Sequence, residues 1–398
     1  MKLAARLDDV RPYAHAELER TIAAARTSGR DVISLASGNL DLPAPAFVIE
    51  ELARAAHSQE SHRYPAFTGL PDFRRAVADF YETRFDVHID ADTQVLPLIG
   101  SKDGIAHLPW SVIDPGDVAL VPEPTYPVYA VATKLAGGRP VAVSLRNESS
   151  WFPELDAIPT AMADRAEIFW LNYPANPTGA VADLEQLEHA VAFAARHEIL
   201  LCYDNVYSEI TFDGFVAPSV LRVPGALDVA VEFGSFSKTF NMAGWRVGWL
   251  VGNPRVVEAL GRLKTNIDSG VFTAVQRAAV RALSSGLPHL PELVRTYQRR
   301  RDLVVATFTA AGWSCAAPKG GISVWVKTPA DESSTSCASR LLDETGVLVA
   351  PGAAYGAGGD GYVRVALAVP DQLLDDACAR LRSALPLAAE AMQVSFRS

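Results

Sequence analysis

The stretch Ser235-Phe236-Ser237-Lys238-Thr239-Phe240-Asn241-Met242-Ala243-Gly244-Trp245-Arg246-Val247-Gly248 sets one lysine between two small hydroxyl residues, just after the apolar run Val229 to Phe233. An arginine, Arg246, follows eight residues later. A lysine condenses with an aldehyde to a Schiff base, and hydroxyls together with an arginine hold a phosphate. Pyridoxal 5'-phosphate carries both groups, so the segment reads as an anchor for it. A lone lysine is more often a solvated surface charge. The reading therefore requires the rest of such a site elsewhere in the chain.

Length and composition bound the alternatives. At 398 residues the chain buries a large core and is expected to divide in two. Hydrophobic residues make up 49% and charged residues 21%, an ordinary globular balance. A net charge of -10 and a pI near 5.3 disfavour nucleic acid or an anionic membrane as partner, while leaving room for a local phosphate pocket. Cys202, Cys315, Cys337 and Cys378 stand far apart without a C-x-x-C pair, which suits a reducing cytoplasm better than a disulfide framework or a zinc site. The first residues become charged too soon for a signal peptide, and no apolar run is long enough to span a bilayer.

Between about residues 94 and 252, short apolar runs alternate with helical patterns. The runs are Val95 to Ile99, Val118 to Val121, Val141 to Leu145, Ile168 to Leu171, Ile199 to Tyr203, Val229 to Phe233 and Val247 to Val251. Runs of this kind predict strands buried on both faces of a mostly parallel α/β sheet of seven strands. The segment Leu184 to His197, with apolar residues at three- and four-residue steps, predicts an amphipathic helix between two of them. After about residue 285 the pattern changes to a long charged helix (Pro291 to Ala311), strands at Ser323 to Val326 and Tyr362 to Leu367, and a helix from Pro370. We expect a large domain over 46–285 and a smaller α+β domain made of 1–45 and 286–398.

Chemistry-bearing residues fall just past the ends of these runs. In open α/β sheets, ligands collect beyond the carboxyl ends of the strands. Gly100-Ser101-Lys102-Asp103-Gly104 ends one strand and opens a helix, a turn suited to phosphate but also common in ordinary loops. Ser235, Ser237 and Arg246 would complete the cup. Asp204 either caps a helix or pairs with something cationic, as a pyridine nitrogen would be. Asn172-Tyr173-Pro174-Ala175-Asn176-Pro177-Thr178-Gly179 reads as a proline-rich turn, with Asn176 a candidate donor to a phenolic oxygen. Tyr207 is a second such donor, and Tyr126 is either a stacking partner for a ring or a core aromatic. Arg364, within Tyr362-Val363-Arg364-Val365-Ala366, either faces solvent or turns inward to hold a carboxylate.

Taken together, these segments resemble the class I/II aminotransferases of PLP fold type I, closest to the branch of LL-diaminopimelate and alanine aminotransferase-like proteins. The resemblance runs from about Pro12 to Arg382 in collinear order. It includes Ser37-Gly38-Asn39-Leu40-Asp41-Leu42-Pro43, Tyr64-Pro65-Ala66-Phe67-Thr68-Gly69, Lys264-Thr265-Asn266-Ile267-Asp268-Ser269-Gly270 and Pro351-Gly352-Ala353-Ala354-Tyr355-Gly356. It implies that Lys238 carries the cofactor, that Asp204 faces its pyridine nitrogen, and that Asn176 and Tyr207 meet its phenolic oxygen. It implies Tyr126 as the stacking ring and Ser101, Lys102, Ser235, Ser237 and Arg246 as the phosphate cup. Arg364 would bind the substrate carboxylate, beside a substrate loop at Gly38 and Asn39. Tyr64 would reach the cofactor of a neighbouring subunit, which implies a homodimer.

The implied activity is transfer of the amino group of an L-amino acid to a 2-oxo acid, with no metal. Specialised elimination, replacement, cyclisation or oxidation on the same cofactor is the alternative. Where the branch commonly carries Phe-Tyr before Val-Trp, this chain has Ile322-Ser323-Val324-Trp325, and Ala175 stands where an asparagine is usual. The smaller side chains at 322 and 323 are expected to reshape the substrate side, and no second arginine for a distal carboxylate is evident. A non-catalytic effector-binding module would need a DNA-binding segment ahead of the fold. The matching pattern begins near Pro12 and the charge is acidic, so that reading is set aside.

Overall fold

The computed structural model describes residues 1–385 apart from 2, 9, 11–19, 21, 24–26, 28, 330 and 331. Pro12, where the resemblance begins, lies outside the described residues. The sheet expected from the apolar runs has seven strands: β1 (Val95–Leu98), β2 (Val118–Glu123), β3 (Arg139–Ser144), β4 (Ala166–Asn172), β5 (Leu200–Asp204), β6 (Ala230–Ser235) and β7 (Gly248–Gly252). Their spatial order is β1-β7-β6-β5-β4-β2-β3. All neighbouring pairs are parallel except those of β7, which runs against both β1 and β6.

Burial on both faces holds for β1 and β7, whose residues are all buried, and for most of β2, β4, β5 and β6. It fails for β3, where one residue of six is buried. That strand is the sheet edge, so one flank lacks a neighbour and the apolar run covers a single face. Helices fill the connections. Leu184–Arg196 opens with a capping box between Asp183 and Gln186 and buries Leu187, Ala190, Val191 and Ala194 against the sheet. Each such side chain contributes about 1–3 kcal/mol of burial.

Register aligns the chemistry. Asn172 pairs with Asp204, Asp204 with Phe233, Ser235 with Gly248, and Gly248 with Leu98. The carboxyl ends of β1, β4, β5 and β6 and the beginning of β7 therefore share one edge of the sheet.

A second core lies around the antiparallel strands Ala350–Pro351, Tyr362–Ala366 and Ser323–Lys327. The helices Leu290–Ala310, Ser334–Thr345 and Asp371–Ala384 cover it with Tyr297, Val304, Phe308, Leu341 and Leu381. The amino-terminal strand Ile33–Ser34 joins by pairing in parallel with Val347–Leu348, and the amide of Ala366 donates to the Leu35 carbonyl. The second core thus draws on both ends of the described chain. Among the described residues, no helix is long and apolar enough to cross a membrane, and all four cysteines are free thiols.

Candidate active site

A cavity of about 510 Å³ opens at the shared strand edge and extends to the helix Ser334–Thr345. Four cationic side chains line it (Lys102, Lys238, Arg246 and Arg364) against a single acid, Asp204. Such an excess favours anionic ligands. Ser101, Tyr126, Asn176, Tyr207, Ser235, Ser237, Gly38 and Asn39 line it too. Of the residues expected at the site, Tyr64 alone does not reach this chain's own cavity; it is 90% exposed on the surface.

Lys238 sits in the short helix Phe236–Thr239, which begins at once after β6. The Ser235 hydroxyl caps it by accepting from the Ser237 amide at 3.1 Å. Lys238 Nζ donates to the Gly38 carbonyl at 3.4 Å and stands 5.9 Å from the centroid of the Tyr207 ring. Burial, with the nearby Arg364 and Arg246 charges, pulls its ammonium down to about 8.

Asp204 ends β5 and is buried. No helix starts there, which removes the helix-cap alternative. Its Oδ2 accepts from the Tyr129 hydroxyl at 2.6 Å, while Oδ1 is buried without a protein partner. Burial raises its pKa to about 6, against the lowering effect of Tyr129 and of the Val206 amide. Tyr129 was not anticipated from sequence. It lies three residues beyond Tyr126 at the start of the helix Val128–Leu135, stacked 4.7 Å from Trp170, and the Tyr126 ring meets it edge-on at 5.7 Å. That spacing, with both aromatics at one helix start, was the available signal.

Asn172 was also missed. It holds the turn after β4 by donating to the Asp204 carbonyl at 2.7 Å and accepting from the Asn176 amide at 2.8 Å. Asn176 Oδ1 in turn accepts from Arg364 Nη1 at 3.0 Å. Arg364 is 7% exposed, so the solvent-facing alternative fails. Its Nη2 donates to the Ala36 carbonyl at 2.8 Å, its guanidinium lies 5.0 Å over Tyr355, and its Nε is buried without a protein partner.

The turn after β1 packs against Arg246. Gly100 has φ +77°, and a Cβ there would lie 2.4 Å from the Arg246 guanidinium. Arg246 Nη1 donates to the Ala243 carbonyl at 2.7 Å, and Nη2 to that of Ile99 at 3.4 Å. Burial and Arg246 lower the Lys102 pKa.

The expectation that Ile322 and Ser323 shape the substrate side needs correcting. Both are buried and neither lines the cavity. Ile322 packs in the second core behind Gly38, and the Ser323 hydroxyl turns away to the Pro177 carbonyl at 3.3 Å. Ala175 is likewise in the core. Thr335, Ala338, Ser339 and Leu342 line the cavity instead, a helix stripe that carries no motif in the sequence.

The sites of unmet bonding suit pyridoxal phosphate. Asp204 Oδ1 lacks a donor, Arg364 Nε lacks an acceptor, and hydroxyl, lysine and arginine groups converge beside a turn with no room for a Cβ. The sequence pattern of the family Aminotransferase class I and II matches residues 30–381. An LL-diaminopimelate aminotransferase of Desulforudis audaxviator is 48% identical over 382 residues, covering 96% of this chain and 97% of the relative. That of Dehalococcoides mccartyi is 46% identical over 381 residues, covering 96% and 98%. A substrate-bound BacF structure from Bacillus subtilis superposes with a TM-score of 0.93 at 34% identity, covering 97% of this chain and 99% of that one. The chain belongs to the class I and II aminotransferases and is a pyridoxal-phosphate-dependent transferase of amino groups.

Proposed function

We propose that this aminotransferase moves the amino group of LL-diaminopimelate, or an amino acid of like size and charge, to a 2-oxo acid. The relatives at 46% and 48% identity bear that substrate in their names, and this observation carries the reading. The lining is compatible with it: Arg364 is left for one substrate carboxylate once Lys102, Lys238 and Arg246 are given to the cofactor.

When bound, pyridoxal phosphate supplies an aldehyde for amine exchange and a ring that accepts the α-carbon electron pair. In our reading Lys238 Nζ anchors that aldehyde. With a pKa near 8 in the cofactor-free protein, Lys238 Nζ would be the group able to take and return the α-proton. Arg364 holds the substrate carboxylate with its planar fork, and Asn176 fixes that fork through Nη1. Asp204 Oδ1 accepts from the ring nitrogen, and Tyr129 keeps the carboxylate turned toward it. Tyr207 and Asn176 serve the phenolic oxygen and Tyr126 the ring face. Ser101, Lys102, Ser235, Ser237 and Arg246 hold the phosphate, and Gly38 and Asn39 border the substrate.

We further assign a homodimer of cytoplasmic location. Tyr64 (90% exposed), Phe67, Ile267 and Phe272 are large exposed side chains on neighbouring loops, with Pro65 packed 3.4 Å from the position of a Cβ on Gly270. Four unpaired thiols suit a reducing compartment. The large and small domains are taken as 46–285 and as 1–45 with 286–398.

The test is a half-reaction. Given LL-diaminopimelate alone, the holoenzyme should lose its visible cofactor band and form one equivalent of oxo product. Adding a 2-oxo acid should restore the band. A response to other amino acids but not to this one would end the substrate reading. Lys238→Ala should lose the band and turnover together, with borohydride labelling of the parent protein mapping to the Lys238 peptide.

A further inference from the structure

Lys264 ends the helix Pro254–Lys264, is 4% exposed and does not line the cavity. A buried ammonium persists only when it is paired. Lys264 Nζ donates to Asp103 Oδ2 and Asp268 Oδ2, both at 2.5 Å. The arrangement is a carboxylate–ammonium–carboxylate row with a buried ammonium and half-buried carboxylates, and each end of it grips a turn.

At one end, Asp103 Oδ2 also accepts from the Ile99 amide at 2.9 Å, and Oδ1 meets His107 Nδ1 at 2.8 Å. The Asp103 amide donates to the Gly100 carbonyl at 3.0 Å. Ser101 and Lys102 thus lie on a loop whose two flanks, Ile99 and Asp103, are tied by one carboxylate. Burial alone would raise the Asp103 pKa, but His107, Lys264 and the Ile99 amide outweigh it and bring it to about 2. At the other end, Asp268 Oδ1 accepts from the Gly270 amide at 2.7 Å, and the Asp268 amide returns to the Lys264 carbonyl. The loop after the helix is therefore folded onto the same ammonium.

We infer that the Asp103–Lys264–Asp268 row is a positioning device that fixes the Gly100–Lys102 turn for the cofactor's phosphate. Lys264 acts through Asp103 and touches neither cofactor nor substrate. The inference rests on the reading of Ser101, Lys102, Ser235, Ser237 and Arg246 as the phosphate cup. A purely structural row would brace the fold without favouring one end of the ligand. A positioning row changes the affinity that the phosphate adds.

The measurement is the ratio of dissociation constants for pyridoxal and pyridoxal 5'-phosphate on the full-length protein stripped of cofactor. The main variant is Lys264→Met with Asp268→Asn. It removes one positive and one negative charge, so the net charge of the row is unchanged while the tether is lost. Its ratio should fall by about tenfold, as for outer-shell partners of a bound group, with pyridoxal affinity unchanged. An Asp268→Asn variant, which retains the Asp103–Lys264 pair, should show a smaller fall and serves if the double variant does not fold. Arg246→Met tests the underlying reading and should lower the ratio directly. If Arg246→Met lowers it while the row variants leave it unchanged, or weaken both ligands equally, the positioning role is wrong and the cup stands. If Arg246→Met leaves the ratio untouched, the cup assignment fails and takes this inference with it.

Discussion

Around Lys238 the cavity is lined by residues at the carboxyl edge of the seven-stranded sheet, whereas another part of its lining comes from the helix Ser334–Thr345 and the Pro351–Tyr355 segment. The strand backbone behind the lysine is closely packed at two glycines. A Cβ on Gly234 would fall 2.0 Å from the Trp249 ring, and one on Gly248 would fall 2.9 Å from the Ser101 amide nitrogen. On the helix, Thr335 and Ser339 are exposed and carry no such constraint. A lining seated on close-packed strands fixes one geometry and admits few residues, while a lining of exposed helix side chains is revised one substitution at a time. The first suits a cofactor that is always the same, the second a substrate that differs between relatives.

The comparison breaks most clearly at Arg364, which belongs to the second core yet points into the lysine end through Asn176. Arg364→Met should lower kcat/KM for the amino donor by about a thousandfold, since a buried charge pair is lost and Asn176 Oδ1 is left unpaired. The cofactor's absorbance band should remain. Steady-state kinetics beside a cofactor titration would show this. A parallel loss of cofactor would mean that the two ends are not separable.

Gly248→Ala tests the rigid wall. The added methyl would sit 2.8 Å from the Gly234 carbonyl and 2.9 Å from the Ser101 nitrogen, both backbone atoms that cannot swing aside. We expect cofactor content and kcat/KM to fall by about a hundredfold, the usual scale for a small misplacement of a binding group. Unchanged cofactor content would show that this wall yields after all.

Much of the rigid end was legible in the sequence because each element there obeys a local rule. Apolar runs gave all seven strands to within about two residues. The polar residues just past β1, β4, β5 and β6 reached one cavity because parallel strands in register bring their carboxyl ends together. What escaped depends on packing between distant segments. Tyr129 serves Asp204 across 75 positions, and the helix stripe Thr335–Ser339 faces the cavity only once the second core has formed. A departure from a family pattern marks a position, but only the fold shows whether that position meets the cavity or the core behind it.

Asp204 sharpens the comparison by pH. Its folded pKa, about 6, lies above the ordinary value of 3.8 because of burial. Below 3.8 both folded and unfolded forms hold the proton, and the group has no effect. Between 3.8 and 6 the unfolded chain releases the proton first, so stability falls as pH rises and stays lowered above that window. Asp204→Asn should therefore stabilise the cofactor-free protein by about 3 kcal/mol at pH 8 and by about half as much at pH 5. Thermal unfolding at the two pH values checks this. With pyridoxal phosphate bound the sign should reverse, because the cofactor nitrogen supplies the partner that Oδ1 lacks.

The smallest expected effect separates the adjustable wall from the core behind it. Ile322→Val trims one methylene in the second core, away from the cavity, so the ranking of amino donors by kcat/KM should move by less than about twofold. Ser339→Leu alters a side chain of the cavity lining itself and should raise the standing of apolar donors relative to LL-diaminopimelate by roughly tenfold, the low end of pocket discrimination. A donor panel run on both variants decides between them. If Ile322→Val shifts the ranking more than Ser339→Leu, specificity is set by how the second core seats Gly38 against Lys238, and the helix lining is only a rim.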